Sequence, residues 1–345
     1  MSDHNQPARP ARRTVIKAAG AGAVLAATAA ASTTPAAATP HGRLLTRRIP
    51  STGERVPAVG LGTFMTFDQW PSEPRTAIRE VFRRFWTGGG RVVDTSPLYG
   101  LSEGNIGEFS RDLGVNRAMF CANKLWTTGP FLNDDSHAVA QRDQSFTRLD
   151  RERLDVVQVH SLTAVEMHLP ILRRWKAEGR IRMLGVTHHD PMYFPILEHW
   201  IRTGDLDFVQ VHYSIQMREA EKRLLPLAAD HGTAVLVNMP LEKARLHDIV
   251  HGRRLPKVAE EIGAESWAQF FLKYVLAHPA VTAVLPATTN PDHVVDNLGA
   301  MRGPLPDRRA RRDMIREMEL VDGFRELQSR PWYPGKTFDG QVRLG

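Results

Sequence analysis

The sequence predicts an α/β protein folded as one (β/α)8 barrel of the TIM type. From about Leu44 onward, short β-branched apolar runs alternate with amphipathic helical patterns. Eight such alternations follow one another without an intervening linker, which favours one closed barrel over a doubly wound open sheet. The runs are almost continuously apolar, as expected of parallel strands covered on both faces. A chain of 345 residues with 42% hydrophobic and 24% charged residues is ordinary for a globular protein, and α/β barrels commonly use about 250 residues as one domain.

Residues 1–40 read differently from the rest. A basic region ending Arg12-Arg13-Thr14-Val15-Ile16-Lys17 precedes an Ala/Gly-rich stretch from Ala18 to Ala31, then a Ser/Thr/Pro/Ala segment ending Ala36-Ala37-Ala38. That is the three-part layout of a secretory signal over residues 1–38, with cleavage expected after Ala38. The order Arg-Arg-x-hydrophobic-hydrophobic-Lys resembles a twin-arginine signal. The resemblance implies export of an already folded protein to the periplasm or outside, with membrane contact only in transit; without use of the signal the protein stays cytoplasmic.

A hairpin from Arg47 to Val56 around Thr52-Gly53 is expected to cap the barrel bottom. The eight strands are Val59–Thr63, Val92–Thr95, Met119–Lys124, Val156–His160, Met183–Thr187, Phe208–Tyr213, Ala234–Asn238 and Thr282–Pro286. Between them, Ile78, Val81, Phe82 and Phe85 share one helical face that ends at Gly88-Gly89-Gly90. Thr163 with Glu166 has the spacing of a capping box, and that helix stops near Gly179. Trp267, Phe270, Phe271 and Tyr274 give the last long helix before the eighth strand a wide apolar face. A further helix is expected near Met314–Phe324, closing a barrel domain of residues 44–325. The tail, 326–345, carries Pro331, Trp332, Tyr333 and Pro334 and is either a substrate-side flap or a surface extension.

Charge and cysteine content exclude several classes. The net charge is +7, but Arg9, Arg12, Arg13 and Lys17 of the leader face only Asp3, so about +4 remains without it. No basic stripe with interleaved aromatics occurs, so no nucleic acid is expected. Cys121 stands alone, which rules out an internal disulfide or a cysteine metal cluster, and its apolar flanks suggest a buried strand thiol. His188-His189-Asp190 is a poor metal site, since adjacent loop residues rarely ligate one ion; no metal is expected. The chain has no Gly-x-Gly-x-x-Gly fingerprint of a Rossmann domain.

Chemistry in such a barrel sits where the strands end. Asp94 closes the second strand with Tyr99 five positions on; Lys124 closes the third and His160 the fourth. Isolated charges at buried strand ends are expensive, so these groups make sense converging on one another. Together with Gly60-Leu61-Gly62-Thr63, Asp94-Thr95-x-x-x-Tyr99-Gly100, Asn123-Lys124, Leu154-Asp155-Val156-x-x-x-His160, Gly185-Val186-Thr187, Gln210-Val211-x-Tyr213-Ser214, Pro240-Leu241, and Pro286 followed by Asp296-Asn297, the chain resembles the aldo/keto reductase superfamily over about residues 44–300.

That resemblance implies an NAD(P)-dependent oxidoreductase acting on a small carbonyl or alcohol substrate. Tyr99 would be the general acid, Lys124 the ammonium that eases its ionisation, Asp94 the carboxylate that holds Lys124, and His160 the group that orients the substrate oxygen. The cofactor side would be formed by Thr187, His188, Gln210, Asn238, Pro240, Leu241, Pro286, Thr288, Thr289, His293 and Asn297, with Gln210 on the nicotinamide carboxamide. Thr187-His188 stands where the family usually has Ser-Asn, and Asn238 where many members place a stacking aromatic. The phosphate-side run from Pro286 to His293 has no Arg or Lys to clamp a 2′-phosphate, so the choice between NADP and NAD stays open. Two other readings share the fold: a cofactor-binding sensor or auxiliary subunit without catalysis, and a nucleotide-free lyase or hydrolase using Asp94 and His160.

Overall fold

The computed structural model describes residues 44–127 and 134–332. The signal expected over residues 1–38 and the tail beyond Trp332 lie outside them. A hairpin of β1 (Thr46–Arg48) and β2 (Arg55–Pro57) comes first, with Arg47 opposite Val56 as the Thr52-Gly53 turn demands. Eight parallel strands then pair in chain order: β3 (Leu61–Gly62), β4 (Val92–Asp94), β5 (Phe120–Leu125), β6 (Leu154–Val159), β7 (Ile181–His188), β8 (Phe208–His212), β9 (Ala234–Asn238) and β10 (Val281–Val284). Each expected strand is present, with ends shifted by a few residues.

The seam between β3 and β10 is carried by two isolated bridges, Val59 to Val284 and Gly62 to Ala287. Backbone bonds from Gly60 to Val284 (2.8 Å) and from Gly62 to Pro286 (3.0 Å) join it. The approach is close enough to demand glycine: a Cβ at Gly62 would meet the Leu285 carbonyl oxygen at 2.8 Å.

Around the barrel lie α1 (Thr76–Thr87), α2 (Ser102–Asp112), α3 (Ser136–Leu149), α4 (Val165–Ala177), α5 (Phe194–Thr203), α6 (Glu219–Lys222), α7 (Leu224–Asp230), α8 (Arg245–Ile249), α9 (Lys257–Glu261), α10 (Trp267–Leu276), α11 (Pro291–Gly299) and α12 (Arg308–Glu319). In α1 the buried residues are Ile78, Val81, Phe82 and Phe85, the face read from their spacing. Two expectations need correction. Thr163 is not the cap of α4, because Ala164 takes that position with a left-handed φ of 47° and no side-chain cap forms. The chain reverses there through Ser161, Leu162 and Ala164, all at positive φ, and the Thr163 carbonyl accepts from the His168 ring instead. The helix expected near Met314–Phe324 is α12, which begins and ends earlier because Asp307 caps it through the Ala310 amide.

Strand periodicity positions the site. Alternate residues point into the barrel, and the buried interior cluster contains Val92, Phe120, Ala122, Val156, Met183, Phe208, Ala234, Leu236 and Ala283, with Ile49 and Val56 of the hairpin region. The same faces, followed one or two steps toward the strand ends, carry Asp94, Lys124, Gln158, Thr187, Gln210 and Asn238. The interior is therefore apolar below and polar above. Cys121, on the outward face of β5, is fully buried, and burial pushes its thiol up to about 12, as an inert strand residue.

Candidate active site

A cavity of about 1080 Å³ opens at the C-terminal ends of the strands. All the site residues expected from the sequence line it: Asp94, Tyr99, Lys124 and His160, with Thr187, His188, Gln210, Asn238, Pro240, Leu241, Pro286, Thr288, Thr289, His293 and Asn297. It is larger than most small-molecule pockets and suits a dinucleotide with a substrate beside it.

Its floor is a buried ion pair. Lys124 Nζ donates to Asp94 Oδ1 at 2.6 Å and to the Thr95 carbonyl at 2.8 Å, with the two side chains 1% and 6% exposed. Burial raises the Asp94 carboxyl above its ordinary range, while the Lys124 charge and the Gln210 amide pull it back. The Tyr99 ring centroid lies 5.2 Å from Lys124 Nζ and 5.8 Å from the His160 ring. Phenol, ammonium, carboxylate and imidazole thus meet in one cleft, although they leave from three different strand ends.

His160 begins the turn after β6, and its Nδ1 lies 3.1 Å from Ser96 Oγ. Ser96 Oγ also accepts the Leu98 amide at 3.2 Å, which ties the hydroxyl, and through it the His160 ring, to the turn after β4. Burial, with Lys124 nearby, lowers the His160 pKa to about 3. The ring is therefore a neutral donor across the working range of pH.

The cofactor-side residues fall into two groups. Thr187 and Asn238 stand at the ends of β7 and β9, and Gln210 lies in the middle of β8. Asn238 Oδ1 is buried without a hydrogen-bond partner, an acceptor that a bound carboxamide N–H would satisfy. Gln210 is already engaged: its Oε1 accepts the Gln158 amide at 2.9 Å and its own amide contacts Asp94. His188 stacks on Tyr193 at 3.9 Å and its Nδ1 accepts the Asp190 amide, so only its other nitrogen remains toward the cavity. Thr288, Thr289 and Asn290 lead into α11, whose Asn290 cap accepts the Asp292 amide at 2.8 Å. Polar groups at a helix start suit a phosphate.

Several lining residues were missed from the sequence: Phe64, His189, Lys243, His247, Trp267 and Trp332. Ser96 and Gln158 were missed as well, though Gln158 was findable, lying two positions before His160 on an inward-facing period. Trp332 lies at the cavity, so the described part of the tail reaches the substrate side. Among the described residues no cluster of metal-ligating side chains occurs.

Fold and site together define a barrel oxidoreductase with a nucleotide-sized cleft. The Aldo/keto reductase family model matches residues 58–313, and the chain belongs to that family, as an NAD(P)-dependent oxidoreductase. It is 27% identical over 279 residues to an NADH-specific methylglyoxal reductase of Escherichia coli (strain K12), covering 67% of this chain and 83% of that one. L-galactose dehydrogenase of Arabidopsis thaliana is 25% identical over 283 residues, covering 74% and 87%. An aldo-keto reductase from Klebsiella pneumoniae, solved in complex with NADPH, superposes with a TM-score of 0.65 at 25% identity, covering 80% of this chain and 95% of that one.

Proposed function

We propose that the chain reduces a carbonyl compound, or oxidises the corresponding alcohol, with Tyr99 as the general acid and base. The observation that carries this reading is the Lys124 ammonium, locked on Asp94 at 2.6 Å and standing 5.2 Å from the Tyr99 ring inside the cavity. A phenol is a reluctant donor at its reference pKa near 10; a fixed ammonium stabilises the phenolate left when the proton goes to the carbonyl oxygen. The nicotinamide supplies the hydride to the carbonyl carbon when bound. His160, a neutral imidazole, donates to the substrate oxygen and fixes its position. Thr187, Asn238 and the Thr288-Thr289 turn would hold the cofactor, with the unpartnered Asn238 Oδ1 suited to its carboxamide N–H. One relative is named for NADH and one neighbour holds NADPH, which leaves either dinucleotide open.

Export in folded form, after cleavage following Ala38, is supported by the Arg12-Arg13 region, the Ala-rich stretch and the small-residue end of the leader. Folded passage would let the protein load its dinucleotide where that cofactor is made.

One preparation tests both statements. Native protein is expected to begin at Thr39 and to release a dinucleotide on denaturation. Tyr99→Phe is expected to lower kcat by about a hundredfold to ten-thousandfold with cofactor binding, followed by nicotinamide fluorescence, retained. Turnover that ignores Tyr99, or no turnover in the wild type with either dinucleotide, returns the chain to the sensing or lyase readings.

A further inference from the structure

Hydride transfer explains the floor of the cavity but not the wall at its mouth. There Lys243 Nζ stands 2.9 Å from the centroid of Trp332 and 5.6 Å from that of Phe64. Phe64 in turn lies 5.0 Å from the Tyr99 ring, so a single aromatic side chain separates the ammonium from the reacting end. Phe64 and Trp332 are 41% and 47% exposed, which places this wall where a ligand enters.

The backbone holds Lys243 there under strain. Met239, Glu242, Lys243 and Ala244 all have positive φ, a region non-glycine residues enter only when their surroundings enforce it. The enforcement is a buried ion pair: Arg245 Nη2 donates to Glu242 Oε2 at 2.8 Å, both side chains being fully buried. Arg245 also donates to the Leu327 carbonyl at 3.0 Å, and Gln328 Nε2 to Glu242 at 3.0 Å. One anchor thus sets both the loop that presents Lys243 and the segment that presents Trp332. Burial, with Arg245 nearby, lowers Lys243 to about 8, and an ammonium so disfavoured gains strongly from an incoming anion. Glu242, whose charge acts on Lys243, is itself committed to Arg245 and His212; of the carboxylates lining the cavity, Asp94 is on Lys124 and Asp296 accepts from Gln269 at 2.8 Å on the α11 side.

We propose that this wall is a carboxylate subsite: the carbonyl substrates of this protein carry a carboxylate that pairs with Lys243, joined through a planar spacer lying by Phe64 and Trp332 to the carbonyl held at Tyr99 and His160. This rests on the hydride-transfer reading above. The cofactor diphosphate is the other anion within the same chemistry, and the test separates the two.

Full-length wild type, Lys243→Met and Lys243→Arg are assayed with 4-carboxybenzaldehyde and its neutral isostere 4-methylbenzaldehyde. Methionine removes a half-buried charge and keeps the side-chain length, so the fold is retained. The wild type is expected to prefer the carboxylated aldehyde in kcat/KM by about tenfold to a hundredfold, the range of a charge-assisted bond. The preference is expected to vanish in Lys243→Met and to survive in Lys243→Arg. An unchanged preference in Lys243→Met overturns the subsite. So does weakened cofactor binding in Lys243→Met with the aldehyde preference intact, which assigns Lys243 to the diphosphate. Calorimetry with benzoate in the presence of cofactor supplies an arm independent of turnover. Lys243-dependent benzoate binding in a protein that reduces no aldehyde supports the subsite and removes the hydride-transfer reading; aldehyde reduction without carboxylate preference does the reverse.

Discussion

The two ends of the barrel use the same charge chemistry to opposite effect. At the bottom, where strands begin, Asp155 accepts from Arg151 at 3.0 Å, from Arg182 at 2.8 Å and from the Cys121 amide at 2.8 Å. Arg182 is 29% exposed and also reaches Glu54 of the hairpin turn region. Asp207 repeats the motif, taking the Leu184 amide at 2.9 Å and Lys176 at 2.6 Å. These carboxylates staple neighbouring strands and have more than one donor each, so the loss of one partner is absorbed. At the top, Asp94 has Lys124 as its cation, and both side chains are almost wholly out of water. The carboxylates are equally buried at both ends; the bottom differs in that each has several donors and the cations Arg182 and Lys176 reach solvent, whereas at the top a single cation is as desolvated as its carboxylate.

The contrast is sharpest under deletion. Lys124→Met strands the Asp94 carboxylate in a buried site and is expected to cost about 3–5 kcal/mol of stability together with turnover. Adding Asp94→Asn should return much of the stability and none of the turnover. Arg182→Ala at the bottom leaves Asp155 on Arg151 and the Cys121 amide, and is expected to cost about 1 kcal/mol or less with turnover retained. Urea midpoints beside an NAD(P)H assay measure all three. Equal losses for Lys124→Met and Arg182→Ala would erase the distinction.

Acid probes the top end next. His160 titrates near 3 in the folded protein and near 6.5 unfolded, so between those values the unfolded chain binds the extra proton. Its contribution to stability is complete above about pH 6.5 and is lost progressively as pH falls toward 3. His160→Gln is expected to flatten that part of the stability–pH curve, measured as the urea midpoint at each pH. A curve of unchanged slope would mean that His160 is as well solvated as a surface histidine.

The smallest effect is expected from Ser96→Ala. It removes the hydroxyl that holds the His160 ring at Nδ1 while leaving Tyr99, Lys124 and Asp94 in place, and is expected to lower kcat/KM by about threefold to tenfold. A kinetic constant that does not move would show that His160 is oriented by packing alone.

Much of this was legible in the chain itself. Alternation of apolar runs with helical patterns fixed eight strands in order, because strand and helix periods differ and each leaves its own repeat. The meeting of Asp94, Lys124 and His160 in one cleft was legible too: they follow apolar runs, and a charge there has no packing use. The capping of α4 was not legible, since Thr163 and Glu166 have the right spacing but the chain reverses between them. Neither was the mouth of the cavity. Lys243 and Trp332 lie far apart in sequence, in segments without periodicity, and they meet where buried Arg245 reaches the carbonyl of Leu327 and Gln328 reaches Glu242.

Local residue order therefore determined the barrel, its polar upper layer and the residues gathered in its cleft, all of which follow from short-range periodicity and the cost of burying charge. The tertiary structure alone decided which hydroxyl holds the His160 ring, which partners Gln210 and His188 already have, and which rings frame Lys243. Those depend on distances between segments remote in the chain, and such distances are set by closure of the barrel and by a few buried hydrogen bonds across it.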